Sequence, residues 1–201
     1  MPARATPLIT AWVGQVQVQA QTGPGCIAAD EGRVWPVQLL LEERAAGTGG
    51  PTASISGLIW GDLLPASLQG QAWSALAIQW LSPVTQAAAR SGHHASLRID
   101  GDRLSGDWHE TPPAADAGNS CFWTRASVSL TRQPAEAQAA AVAAGLRQRA
   151  FWNAAARAAA APANQVPAAL SQAAQQLLDA GEADAMTAAA WQQAADRLLM
   201  N

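Results

Sequence analysis

The chain changes its sequence grammar at Pro134, and that break constrains the fold more than any other feature. Before it, Val, Ile, Leu, Thr, Ser, Gly and Trp come in short alternating runs separated by turn residues. After it, Ala makes up 28 of the last 68 residues. Two-residue alternation places apolar side chains on one face of a strand, whereas dense Ala with spaced Leu and Trp favours helix. Residues 1–133 therefore read as an antiparallel β-domain and 134–201 as a helical region of about three helices, making the chain α+β. Pro134 lacks the amide hydrogen a sheet interior needs and suits the first turn of a helix.

The clearest strand is 8–21, where Trp12, Gly14, Val16, Val18 and Ala20 share one face and Gln15, Gln17, Gln19 and Gln21 the other. Residues 34–43 form a second strand, with Val37, Leu39 and Leu41 opposed to Gln38, Leu40 and Glu42. A third covers 53–61, and 67–81 holds a fourth in which Leu76, Ile78 and Trp80 share a face. Residues 96–100 and 103–110 form a hairpin about Asp100-Gly101, a strong tight-turn pair. The segment 82–95 reads as a helical turn or part of a loop, with His93-His94 in a loop, and 121–132 as the last strand. About seven strands at meander spacing, with no helix of crossover length between them, predict an antiparallel barrel in preference to a two-sheet sandwich. Gly14, Gly57 and Gly106 fall inside strands, where a tightly coiled sheet needs room. ISGLIWGD at 55–62 and LSGDWHE at 104–110 echo one another, as similar hairpins would.

The helical region divides at Pro162 and Pro167. The pattern predicts helices over 135–161, 167–179 and 186–199, with Gly145 weakening the first by about 1 kcal/mol relative to Ala. Leu177, Leu178, Asp179, Ala180 and Gly181, followed by Trp191, Leu198 and Leu199, make a helix end, a turn and a second helix. This hairpin, about 170–200, resembles the bacterial short C-terminal (SHOCT) interaction domain. The resemblance implies a protein-contact or oligomerising appendage rather than an enzyme. Gly106-x-Trp108 and the closing Leu130-Thr131-Arg132 resemble, in general pattern only, strands of small calyx barrels such as lipocalins and avidins, and no ligand residue carries over.

Twelve basic residues, all Arg, against 15 acidic ones leave a net charge of -3 with no basic cluster. That excludes recognition of nucleic acid through phosphate neutralisation and a polybasic membrane anchor. No run approaches the roughly 18 apolar residues that span a bilayer. With no leader pattern at residues 1–14, the expected location is cytoplasmic, with Cys26 and Cys121 reduced; only on export would they form one bridge closing a long loop.

His93, His94 and His109 lie within 17 residues and, with Asp107 or Glu110, are the metal-ligand candidates, set against a reading as surface histidines. Asp100, Asp102, Asp107 and Glu110 flank one hairpin, but Asp100 and Asp102 bracket Gly101 as ordinary turn residues do. A nucleophilic Cys121 near His94 or His109 competes with a buried structural cysteine. No P-loop, Rossmann, G-x-S-x-G or H-E-x-x-H string occurs, so the reading leans away from an enzyme and calls for no cofactor.

Tryptophan is the better clue: nine Trp stand beside two Phe and no Tyr. Most are expected to fill the core. The excess points to a cavity or contact patch, for which Trp60, Trp80, Trp108, Trp123, Trp152 and Trp191 are the candidates. The leading expectation is a non-catalytic accessory protein of bacterial type that contacts another protein or itself through the C-terminal helices. The alternatives are a carrier enclosing an apolar small molecule in a Trp-lined barrel, and a small hydrolase or metal-dependent enzyme using His93, His94 and His109.

Overall fold

The computed structural model of the chain describes residues 6–44, 54–61, 65–80, 92–111, 121–158 and 166–181, with positions 188, 189, 191 and 193. Eight antiparallel strands run in sequence order around a closed barrel: β1 (Leu8–Thr22), β2 (Val34–Arg44), β3 (Ser54–Gly61), β4 (Ala66–Gly70), β5 (Leu76–Trp80), β6 (Gly92–Asp100), β7 (Arg103–Thr111) and β8 (Phe122–Arg132). β1 pairs with both β2 and β8, which closes the cylinder. Two helices follow, α1 (Ala135–Ala158) and α2 (Val166–Asp179).

Alternation sets which side chains enter the barrel. Trp12, Val16, Val37, Leu39, Leu41, Ile55, Ile59, Leu104, Trp108, Val128 and Leu130 belong to one interior cluster. Gln15, Gln19, Arg103, Ser105, Arg125 and Ser129 lie on the outer wall. Polar-out, apolar-in is the reverse of a lipid-facing barrel wall. Among the described residues no helix is long and apolar enough to cross a membrane.

The sharp coiling of a narrow barrel explains the strand glycines. A Cβ on Gly14 would strike the Ser129 carbonyl, and one on Gly106 the Ser96 carbonyl. At the β6–β7 turn Gly101 has φ +60°, the left-handed conformation that Asp-Gly turns supply. The echo between 55–62 and 104–110 does not extend to the tryptophans. Trp108 lies within the barrel, whereas Trp60 stands outside it beneath the helices.

The outer wall carries a second apolar core. Leu40 and Leu58, on outward positions of β2 and β3, pack with Trp60, Phe151, Trp152, Ala174 and Trp191. Ile9, Val142, Leu146, Leu177 and Leu178 pack around them. Phe151 lies between two indoles, stacked on Trp191 at 4.8 Å and edge-on to Trp152 at 5.0 Å. The indole Nε1 groups of Trp152 and Trp191 both donate to Gln148 Oε1, each at 3.1 Å. The Ala-rich helices thus dock on the barrel. Small side chains allow this close approach, and a Cβ on Gly145 would sit 3.0 Å from both Leu40 and Trp60.

Several expectations are corrected. The segment 67–81 holds two strands, β4 and β5, rather than one, because residues 71–75 turn the chain back. That extra strand makes eight and closes the barrel, excluding the sandwich. His93 and His94 lie in β6, not in a loop. Cys26 and Cys121 form a disulfide, which overturns the expectation of reduced thiols; the β1–β8 pairing carries the two cysteines to the same end of the barrel. Of the third expected helix, positions 188, 189, 191 and 193 are helical, and Leu198 and Leu199 lie outside the described residues.

Candidate functional site

The sequence candidates separate into three places. Trp108 and Trp123 meet at one end of the barrel, 5.8 Å apart edge to face, with Trp35 6.4 Å from Trp123 and the Arg33 guanidinium 3.9 Å over the Trp35 ring. Glu110 is buried at the same end and accepts a hydrogen bond from the Trp123 backbone N–H at 2.9 Å. Trp60, Trp152 and Trp191 belong instead to the second core and are 3–8% exposed. Trp80 is set opposite Ala66 by strand register, and its side chain lies outside those described.

The histidines lie on the wall. Strand register puts His94 directly opposite His109, both exposed on the outer face, while His93 is opposite Glu110, with its own side chain outside those described. Among the described residues no three His, Cys, Asp or Glu side chains gather into a metal-binding group. Asp107 is 3.6 Å from the Arg125 guanidinium, and Asp102 3.6 Å from that of Arg132. Cys121 is bonded to Cys26, so the thiolate nucleophile considered for it is corrected to a structural half-cystine.

A site that none of these candidates marks lies where α1 crosses the outer wall. A pocket of about 390 Å³ is lined by Glu42, Arg44, Ser56, Leu58, Ser67, Gln69, Arg149 and Asn153 among others. Strand alternation turns Glu42, Ser56, Ser67 and Gln69 outward from β2, β3 and β4, and α1 brings Arg149 and Asn153 over them. The Glu42 carboxylate is 7% exposed and is gripped at both oxygens. Arg149 Nη1 donates to Oε2 at 2.8 Å, and Arg44 donates to Oε1 from Nε at 2.7 Å and Nη2 at 2.6 Å. The Arg149 hydrogen bond holds the Glu42 carboxyl below its ordinary range, against burial, which pushes it up; Arg44 adds to the lowering.

Two guanidiniums against one carboxylate leave a net positive charge in a concave site ringed by hydroxyls and amides. Both arginines line the pocket, with side chains 60% exposed at Arg44 and 31% at Arg149. The volume is within the range of small-molecule sites. Comparison with known protein families, with characterised proteins and with solved structures finds no match.

Sequence reasoning missed this site because Glu42 and Arg149 are 107 residues apart. One signal was present. Leu39, Leu40 and Leu41 are consecutive, so both faces of β2 must be covered there, and Glu42 follows on the covered outer side.

Proposed function

We propose that the chain is a non-catalytic binding protein whose recognition site is the pocket between α1 and the outer wall of β2–β4. The ligand is a small organic anion: a carboxylate carrying hydroxyl or amide groups. The observation that carries this reading is the Glu42 carboxylate held between Arg44 and Arg149, which presents pre-oriented cationic donors beside Ser56, Ser67, Gln69 and Asn153. The packed interior cluster supports a barrel that serves as scaffold more than one that encloses an apolar cargo. Leu177, Leu178 and Trp191, which carried the resemblance to an interaction hairpin, turn toward this chain's own barrel. They give less support to helices that await a partner. The Cys26–Cys121 bridge supports an oxidising compartment over the cytoplasm.

Calorimetric titration of the full chain with gluconate, glucose and sulfate tests the reading. Gluconate should bind, neutral glucose should not, and Arg44→Ala, at a largely exposed side chain, should weaken gluconate binding about tenfold, the loss of one charge-assisted hydrogen bond. Equal responses to gluconate and glucose, or none to gluconate, would overturn it. Binding of sulfate alone would reduce the site to an anion contact.

A further inference from the structure

We infer that His94 and His109 form a two-imidazole site for a divalent transition metal on the outer wall of the barrel. The inference is independent of the pocket under α1. Three observations carry it. First, register pairs the two residues directly across β6 and β7. Directly opposed residues of an antiparallel pair hold their Cβ atoms about 5 Å apart, a span from which two imidazoles can converge on one ion with metal–nitrogen bonds of about 2.0–2.1 Å.

Second, the flanking residues Ala95, Leu97, Trp108 and Glu110 are buried, so alternation turns both imidazoles outward, where an ion can reach them. Third, His109 Nδ1 lies 3.0 Å from the Thr124 carbonyl oxygen. A carbonyl only accepts, so Nδ1 carries the proton and donates. That fixes the tautomer in which Nε2 presents its lone pair, the arrangement by which metal-bound histidines are oriented from behind.

Among the described residues no third His, Cys, Asp or Glu side chain joins the pair to make a closed shell. Asp107, two residues before His109 on the same face, faces the Arg125 guanidinium at 3.6 Å. The ion would therefore keep solvent at its remaining positions, as open sites do and structural zinc sites do not. Two neutral imidazoles favour Cu²⁺, then Ni²⁺ and Zn²⁺, over Mg²⁺ or Ca²⁺.

The experiment is titration of the tag-free, oxidised full chain with CuCl₂, ZnCl₂ and MgCl₂, followed by calorimetry and by the histidine ring resonances. The expected result is one Cu²⁺ and one weaker Zn²⁺ per chain, no Mg²⁺, and broadening or shifting of the His94 and His109 rings. His94→Ala and His109→Ala should each weaken Cu²⁺ binding at least tenfold, with unchanged circular dichroism because both side chains are exposed. His93→Ala should leave affinity unchanged. Undiminished binding in both single variants, a loss that follows His93 instead, or no Cu²⁺ uptake by the parent chain would overturn the assignment.

Discussion

Arg149 on α1 donates to Glu42 on β2 at 2.8 Å, a charged hydrogen bond between the helical region and the barrel wall. Beside it lies an apolar contact: Gly145 against Leu40 and Trp60, and Phe151 between Trp152 and Trp191. The helix is therefore seated by packing and registered by charge.

One prediction concerns pH. Glu42 titrates below its ordinary value of 4.5 in the folded chain, so the unfolded chain binds more protons in acid. The stabilisation from this group is complete above 4.5 and is lost as pH falls through the lower folded value. Urea unfolding of the parent and Glu42→Gln chains should show a stability gap at neutral pH that narrows as the solution is acidified below 4.5. A gap that stays constant would mean that Glu42 contributes nothing linked to its charge.

Gly145 tests how tightly the helix sits. A bare glycine costs helix propensity of about 1 kcal/mol relative to Ala, but here a Cβ would meet Leu40 and Trp60 at 3.0 Å. Gly145→Val should destabilise by about 2 kcal/mol through overpacking. Gly145→Ala should come out near neutral, the propensity gain offsetting the squeeze. Thermal unfolding separates the two variants, and a stabilised Val variant would show that the helix is not pressed against the wall.

Gln148 is the shared acceptor of two indoles. Replacing it with Leu leaves the Nε1 groups of Trp152 and Trp191 without their acceptor in a region where both rings are at most 5% exposed. The cost should be about 2 kcal/mol in urea unfolding, since unsatisfied buried donors lose their solvation without return. Gln148→Glu keeps an acceptor and should cost less. Equal losses for the two variants would assign the effect to shape rather than to hydrogen bonding.

The Cys26–Cys121 bridge closes a loop of 95 residues and ties the segment after β1 to the start of β8. Reduction, or the double Cys26→Ser, Cys121→Ser variant, should lower stability by about 3 kcal/mol. For a chain of this size that lowers Tm by roughly 6–12 °C. Scanning calorimetry with and without reductant checks it, and an unchanged Tm would mean that the β1–β8 pairing already constrains both ends.

The sequence by itself determined the change from strand to helix at Pro134, the inward faces of β1 and β2, the Asp100-Gly101 turn and the coiling sites at Gly14 and Gly106. These are local properties, set by alternation, by turn conformation and by the space at a Cβ. Tertiary structure alone decided the rest. A reversal at 71–75 split the expected single strand at 67–81 into β4 and β5, and pairing of β6 with β7 placed His94, expected in a loop, opposite His109. Docking of α1 on the outer wall took Trp60, Trp152 and Trp191 into a second core and brought Arg149 to Glu42. No local pattern encodes a contact across 107 residues. It forms only once a closed sheet presents an apolar outer patch, at Leu40 and Leu58, that a small-residue helix can cover.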